Sequence, residues 1–310
     1  MRSSMIDADH MQEASTKAIL YAFLANFGIA LAKSWGAWFT GSGSMLAEAI
    51  HSYADAGNQV LLYFGLVRSQ KPPDIDHPLG YGKLSYFWSF IVAIILFSLG
   101  GLFSIYEGLH KLQSPEALNQ VWVGLLILGV AIVLETASLM GCLGEIKKLR
   151  QQRSLREWLR TTRNAELVVV LGEDIAALVG LVLAFGFLSL AELTGDARFD
   201  AYGSICIGIV LIVVSIFVAL RIKALLVGKS AEPRVREQID RIIEADPDIE
   251  ELLNTITIQM GPKVMLAAKI RMRSGLTIDE AVDRINELER TLRRSLPELG
   301  WCFVEPDSAD

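Results

Sequence analysis

Six stretches of this chain are each predicted to cross a lipid bilayer, which limits the possible folds more than any other feature of the sequence. A membrane-spanning helix needs about 20 predominantly apolar residues. The predicted spans are residues 17–39, 45–67, 84–110, 120–145, 165–191 and 201–227. The mean hydropathy of +0.39 agrees, because soluble chains of this length are rarely so apolar on average. The expected fold class is an α-helical membrane protein.

Basic residues in the loops predict the orientation of the spans, since cytoplasmic loops carry an excess of Lys and Arg. The loop between the fourth and fifth spans is strongly basic, whereas residues 40–44 carry no charge and residues 192–200 are acidic overall. The basic side chains are Lys147, Lys148, Arg150, Arg153, Arg156, Arg160 and Arg163. Both termini are therefore expected in the cytoplasm, with the protein in the cell inner membrane or plasma membrane.

Residues 230–310 are predicted to form a separate cytoplasmic domain after a six-helix membrane domain of residues 1–229. This tail carries the net charge of −6. Helical periodicity over 232–246 is followed by the alternating strands "NTITIQM" and "KVMLAAKIRMR", a capped helix from Thr277 and the strand "WCFVE". The order αββαβ predicts a ferredoxin-like α+β domain with one open sheet face. A homodimer contact is the expected use of that face, and a solvated surface is the alternative.

The second predicted span contains three titratable residues on one face. Glu48, His51 and Asp55 follow the spacing i, i+3 and i+7, which places them on one side of a helix. A charged side chain at the bilayer centre costs about 2.5–3.5 kcal/mol on insertion scales, so such residues usually belong to a pathway, a relay or an ion site. Glu173 and Asp174 lie about two turns into the fifth span.

His51, Asp55 and Asp174 form a donor set that suits a divalent first-row metal such as Zn²⁺. Metal binding requires a neutral imidazole and ionised carboxylates, so protons compete with the metal for the same groups. Such a site exchanges metal for protons if two conformations expose it to opposite sides. Glu173 is a weaker candidate, since neighbouring helix positions point about 100° apart. Glu135 and Asn26 are expected to be structural or proton-handling.

Four motifs spread over nearly the whole chain resemble the cation diffusion facilitators, which are dimeric proton-coupled exporters of divalent metals. They are "TGSGSMLAEAIHSYADAGNQ", "DHPLGYGK", "EDIAALVGL" and "WCFVEPD". The resemblance implies a four-apart ligand pair in the second span, filled by His51 and Asp55, and another in the fifth. Asp174 fills the second position of that pair, but Val170 stands where many zinc-transporting relatives carry His. The fourth ligand could therefore be Glu173 or water, or the site could have a shifted geometry. Without this histidine the site is richer in oxygen donors, which makes Mn²⁺, Co²⁺ or Fe²⁺ more acceptable as the bound metal.

The resemblance also implies a weaker second metal site in the loop between the second and third spans. Asp74 and His77 match that site, while Tyr81 stands where a histidine is expected. A purely structural role for the loop is the alternative. None of the chain's four histidines lies in residues 230–310, so tight zinc sensing by the tail is not expected.

The sequence thus predicts a secondary transporter, not an enzyme. It is expected to be a proton-coupled antiporter that exports divalent cations from the cytoplasm, with Zn²⁺ favoured and Mn²⁺, Co²⁺ or Fe²⁺ as alternatives. Its expected partners are the metal ion, protons, the lipid bilayer and a second copy of the chain, without a prosthetic group or nucleic acid. The alternatives are a non-transporting metal-binding membrane scaffold and a metal-dependent intramembrane hydrolase. The HExxH pattern is absent from the sequence, which counts against the hydrolase.

Overall fold

The computed structural model describes residues 26–114, 118–150 and 152–309, and the described residues up to 227 form helices joined by loops. Helix α1 covers residues 26–40 of the described chain. The helices that follow are α2 (Gly43–Ser69), α3 (Leu84–Gln113), α4 (Val121–Arg150), the short α5 (Leu155–Thr161), α6 (Ala165–Thr194) and α7 (Arg198–Val227).

Within the described residues, four helices are long and apolar enough to cross a membrane: α3, α4, α6 and α7, each of 30 residues. The first predicted span, 17–39, lies partly outside the described residues. Helix α2 has 27 residues but is not apolar enough on average to count as a candidate span, because polar groups occupy its middle. The structure therefore supports a multi-pass helical domain with four candidate spans, and the prediction of six is confirmed only in part.

Helix α3 contains a π-helical segment, Leu96–Leu102, and approaches α7 closely through glycines. A Cβ atom at Gly101 would lie 2.6 Å from a side-chain atom of Ile212, and one at Gly208 would lie 2.6 Å from a side-chain atom of Ile105. Small residues of this kind let membrane helices pack backbone against backbone. The π-helical segment also borders the candidate site, because a Cβ atom at Gly100 would lie 3.8 Å from His51 Nδ1. Segments of this type often occur at functional positions.

The C-terminal part of the chain folds as a small α/β domain with the predicted element order. It consists of α8 (Pro233–Glu244), β1 (Ile249–Met260), β2 (Lys263–Met272), α9 (Ile278–Ser295) and β3 (Leu299–Pro306). The strands lie in the order β1-β2-β3, with β1 antiparallel and β3 parallel to β2. The predicted capping box is present, since the Glu280 backbone amide donates to the Thr277 hydroxyl oxygen and the Thr277 backbone amide donates to the Glu280 carboxylate.

One face of this sheet is covered by the two helices, and the other is open. Leu266, Ala268 and Ile270 of β2 are buried in a core with apolar residues of α8 and α9. On α9, Leu288 and Leu292 belong to the same core, whereas Val282 is 50% exposed. On the opposite face, Ile256 pairs with Ala267 and Ala267 with Phe303, and the side chains of Ile256 and Phe303 are exposed.

The chain divides into two compact units, and the second contains more than the tail. The first comprises residues 26–64, 88–150 and 166–220, and the second comprises 65–87, 152–165 and 221–309. The predicted boundary between residues 229 and 230 remains a prediction. Within the second unit, the β1–β2 turn contacts the residues that lead into α3. The backbones of Gly82 and Gly261 lie so close that a Cβ atom on either would collide with the other segment. The Tyr86 hydroxyl also donates a hydrogen bond to Gly261 O at 3.1 Å.

We expect Gly261→Ala to destabilise the second unit more than Gly275→Ala. Both glycines have positive φ, 72° and 93°, so alanine introduces left-handed strain of about 1–2 kcal/mol at each. Only Gly261 has neighbouring backbone within reach of the new Cβ, whereas Gly275 has nothing within 4 Å. Overpacking adds about 1–3 kcal/mol at Gly261. Thermal unfolding of the full-length variants in detergent measures the difference, and equal losses would contradict the close contact.

Candidate metal centre

His51 and Asp55 occupy consecutive turns of α2 and carry polar atoms without partners. His51 Nε2 and Asp55 Oδ2 are 3.3 Å apart, and the His51 side chain is fully buried. Within the described part of the chain, neither ring nitrogen of His51 nor Asp55 Oδ1 has a hydrogen-bond partner. Leaving a buried polar atom unsatisfied costs about 1–3 kcal/mol. Because these atoms have no partner in the described protein, the pair is available to bind a ligand.

Helix α6 supplies two neighbouring carboxylates that turn toward different helices. Glu173 Oε1 accepts a hydrogen bond from Asn58 Nδ2 of α2 at 2.7 Å. Asp174 Oδ1 accepts one from Ser138 Oγ of α4 at 3.4 Å, while Asp174 Oδ2 has no partner among the described residues. The expected divergence of the two side chains is therefore present. Asp174 keeps a free oxygen, and Glu173 is anchored to α2.

A cavity of about 40 Å³ brings the predicted carboxylates to one place. Helices α1, α2, α4 and α6 all contribute to its wall, which includes Asp55, Glu173 and Asp174. The other lining residues are Asn26, Ile29, Ser52, Gln59, Glu135, Ser138, Val170 and Ala177. His51 adjoins this cavity through Asp55. Within the described residues, no three His, Cys, Asp or Glu side chains are close enough to hold one ion together. The candidate ligands therefore line or adjoin one cavity, but they lie too far apart to coordinate a single ion together.

Residues 19–226 match the family described as the cation efflux transmembrane domain. The chain belongs to the cation diffusion facilitator family. It is 32% identical over 257 residues to the proton-coupled zinc antiporter SLC30A9, mitochondrial, of Xenopus laevis, an alignment that covers 82% of this chain and 45% of that protein. It is also 29% identical over 291 residues to metal tolerance protein C4 of Arabidopsis thaliana, covering 93% and 62% of the two chains.

A bacterial relative aligns over almost its full length. The cation-efflux pump FieF of Klebsiella pneumoniae is 24% identical over 282 residues, which covers 91% of this chain and 89% of that protein. By contrast, the chain spans about half the length of the SLC30A9 relatives that it matches. The family and its apolar helices together make this chain a multi-pass membrane protein of the cation efflux class.

Lys33 of this cation diffusion facilitator is a buried, ion-paired residue that the sequence patterns did not predict. Its ammonium lies 3.2 Å from Glu48 Oε2 and donates to Ser52 Oγ at 2.7 Å. The side chains of Lys33 and Glu48 are both fully buried, and Gly180 of α6 closely faces Glu48 Oε1. Glu48 is thus engaged by α1 rather than shared with His51 and Asp55. A lysine inside an apolar run was the available signal, since such residues normally have a partner.

Asp200 fixes the start of α2 and was also overlooked. Its carboxylate is buried and accepts hydrogen bonds from Ser42 Oγ and Gly43 N, both at 2.6 Å, and from the hydroxyl and backbone of Ser44. A carboxylate at a helix N-terminus satisfies free amides and interacts favourably with the helix dipole. The sequence pattern indicated only an acidic loop at this position. The helix that carries His51 and Asp55 is therefore anchored at its first residues.

The predicted second site in the loop is engaged by the protein itself. Asp74 Oδ2 accepts hydrogen bonds from Lys71 Nζ and the Tyr81 hydroxyl, both at 2.7 Å, and Asp74 Oδ1 accepts from the His77 backbone amide at 2.8 Å. The Lys71 ammonium, followed by the Tyr81 hydroxyl, holds the pKa of the Asp74 carboxyl well below its usual range. Both oxygens of the Asp74 carboxylate thus already accept hydrogen bonds from the protein, and a cation at Asp74 and His77 would compete with these donors.

Replacing Lys33 with methionine is expected to destabilise the helical unit by about 3–5 kcal/mol, because it leaves the Glu48 carboxylate buried and uncompensated. Adding Glu48→Gln to Lys33→Met is expected to recover part of that loss. Thermal unfolding in detergent of the two single variants and the double variant measures the coupling. Lys148→Met is the control, since the Lys148–Glu145 pair is exposed and is worth at most about 1 kcal/mol. Additive effects of the Lys33 and Glu48 changes would contradict a coupled buried pair.

Asp74→Asn is expected to leave the pH profile of transport unchanged between about pH 5 and 8. Because the pKa of Asp74 is depressed, its contacts are intact above the usual carboxyl pKa of about 3.9 and weaken only as the pH falls below it. Initial rates of metal uptake into liposomes at several pH values, compared with wild type, test this. A shifted pH profile in Asp74→Asn would assign proton handling to the loop.

Proposed function

We propose that this chain is a secondary transporter that exports a divalent cation from the cytoplasm in exchange for protons. Zn²⁺ is the favoured cargo, with Mn²⁺, Co²⁺ and Fe²⁺ as alternatives. The observation that carries the proposal is the set of unpartnered polar atoms on His51, Asp55 and Asp174 beside one cavity in a helical membrane domain. The relatives named as a proton-coupled zinc antiporter and a cation-efflux pump support the same class of activity.

The cation would be held by a His51 nitrogen and by oxygens of Asp55 and Asp174. These three side chains come from α2 and α6, so the two helices would have to approach each other to close the ligand set. Without a cation, two ionised carboxylates repel each other, and a divalent ion between them reverses that interaction. Glu173 is a weaker fourth ligand, because it would have to exchange its hydrogen bond with Asn58 for the metal.

Proton exchange follows from the chemistry of these ligands. An imidazole or a carboxylate that binds a metal cannot hold a proton on the same atom, so metal binding releases protons and protonation releases the metal. Alternating exposure of the site to the two sides of the membrane converts this competition into antiport. The transport step therefore requires no covalent chemistry. Neither the scaffold nor the hydrolase has a supporting observation in the part of the chain that the structure describes.

The proposal includes six membrane spans, cytoplasmic termini and a homodimer. The exposed Ile256 and Phe303 on the open sheet face support the dimer, because they place apolar surface where a second copy can cover it. The cell inner membrane or plasma membrane is the proposed location, and an internal membrane is the alternative, since the SLC30A9 relatives are named mitochondrial. Asp74 and His77 are proposed as a weaker second metal site, at which a cation would compete with Lys71.

Reconstitution in liposomes tests the function directly. Uptake of Zn²⁺ and of Mn²⁺ is measured for wild type, Asp55→Asn and Asp174→Asn. A pH dye on the opposite side of the membrane follows the movement of protons. Metal flux matched by proton counterflow is expected, and each variant should lose at least about tenfold in rate, which corresponds to about 1.4 kcal/mol of lost ligand interaction.

Asp283→Asn, on the exposed surface of α9, serves as the control and should behave as wild type. Undiminished flux in both ligand variants would move the site away from Asp55 and Asp174. Folded wild-type protein that moves no divalent cation would overturn the transporter and favour the scaffold.

A further inference from the structure

Beside the same cavity, helix α4 places a carboxylate that has no hydrogen-bond or ion-pair partner among the described residues. Glu135 lies in the middle of α4, is partly buried, and makes no hydrogen bond or ion pair with another described residue. A carboxylate inside a membrane helix is costly unless it has a partner or faces a polar pathway. Because the Glu135 side chain lines the cavity, that cavity is where its partner is expected.

The geometry of α4 directs Glu135 toward the ligands on α6. Ser138 is three residues further along α4, on the same face, and its hydroxyl donates to Asp174 Oδ1 at 3.4 Å. Glu135, Ser138 and Asp174 all line the cavity, together with Asp55 of α2. The face of α4 that carries Glu135 is thus the face that contacts Asp174.

The other donors around the cavity are unevenly distributed. Val170 lies one turn before Asp174 on α6 and lines the cavity without offering a polar atom. Glu173 is held by Asn58, and Glu48 is held by Lys33. Glu48 Oε1 also lacks a hydrogen-bond donor in the described chain, but Glu48 does not line the cavity. Among the carboxylates that do line it, buried oxygens without a partner remain on Asp55 and Asp174, and Glu135 accepts no hydrogen bond from a described residue. These come from three different helices, α2, α6 and α4, which surround the cavity.

We propose that Glu135 is a further ligand of the transported cation, at the side of the site where Val170 supplies no donor. This assignment rests on the proposed transport function and extends its ligand set to α4. An additional carboxylate makes the donor set richer in oxygen, which favours harder cations such as Mn²⁺ relative to Zn²⁺. Glu135 thereby becomes a residue that determines which divalent metal the protein prefers.

Glu135→Gln tests the assignment, because it keeps the size of the side chain and removes its charge. Dissociation constants for Mn²⁺ and Zn²⁺ are measured on purified full-length protein by titration calorimetry. The expected result is at least about a tenfold loss of Mn²⁺ affinity and a smaller loss for Zn²⁺. Glu145→Gln on the same helix is the matched control, since Glu145 is exposed and pairs only with Lys148 among the described residues. It should bind both metals as wild type does.

Val170→His in the Glu135→Gln background is a second test. It places an imidazole beside Asp174 and is expected to restore Zn²⁺ binding and uptake more than Mn²⁺ binding, because nitrogen donors favour Zn²⁺. A merely structural defect caused by Glu135→Gln would not be repaired by a donor at residue 170. Recovery of Zn²⁺ with Mn²⁺ still weak supports the proposal, and absence of recovery in folded protein counts against it.

The result for Asp55→Asn separates this proposal from the proposed function. If Asp55→Asn weakens metal binding while Glu135→Gln binds both metals as wild type does, only the assignment of Glu135 is overturned. If Glu135→Gln loses transport with unchanged dissociation constants, Glu135 acts in a step other than metal binding, and the ligand assignment is again wrong. If neither variant alters metal binding by folded protein, the proposed site itself is overturned.

Discussion

Compensation of buried carboxylates is the constraint on which the helical unit depends. In a low-dielectric interior an ionised carboxylate needs a cation, a hydrogen-bond donor or a helix N-terminus close to it. Glu48 has the Lys33 ammonium, Glu173 has the Asn58 amide, and Asp200 has the first residues of α2. These contacts join α1, α6 and α7 to α2. The helix with the candidate ligands is therefore held in place by the contacts of Glu48, Glu173 and Asp200, of which only Glu173 is also a proposed, weaker ligand.

The carboxylates without such compensation mark the cavity. Asp55 and Asp174 keep free oxygens, and Glu135 borders the same cavity. A cation there would offset the repulsion between negative groups that the protein's own donors leave uncompensated. The same principle explains the loop before α3, where Lys71 already provides the positive charge at Asp74. The protein thus supplies internal cations at two carboxylates and leaves others open to an ion from outside.

Local sequence patterns predicted much of this architecture. The αββαβ order and the Thr277–Glu280 capping box were recovered, because strand alternation and caps depend on residues close in sequence. The adjacency of His51 and Asp55 was predictable for the same reason, since a one-turn spacing places them side by side on any helix. Lys33 and Asp200 were missed. Their partners Glu48 and Ser42 lie on other helices or turns, and no periodic pattern connects them.

The sequence by itself determined that the chain builds apolar helices followed by a small α/β domain, and that polar residues share one face of α2. Burial patterns and helical spacing are local properties, so composition and periodicity are sufficient to infer them. Only the tertiary structure decided that Lys33 meets Glu48, that Asn58 meets Glu173 and that Glu135 borders the cavity of Asp55 and Asp174. Those contacts depend on the rotation and depth of each helix against its neighbours, which packing between distant segments sets.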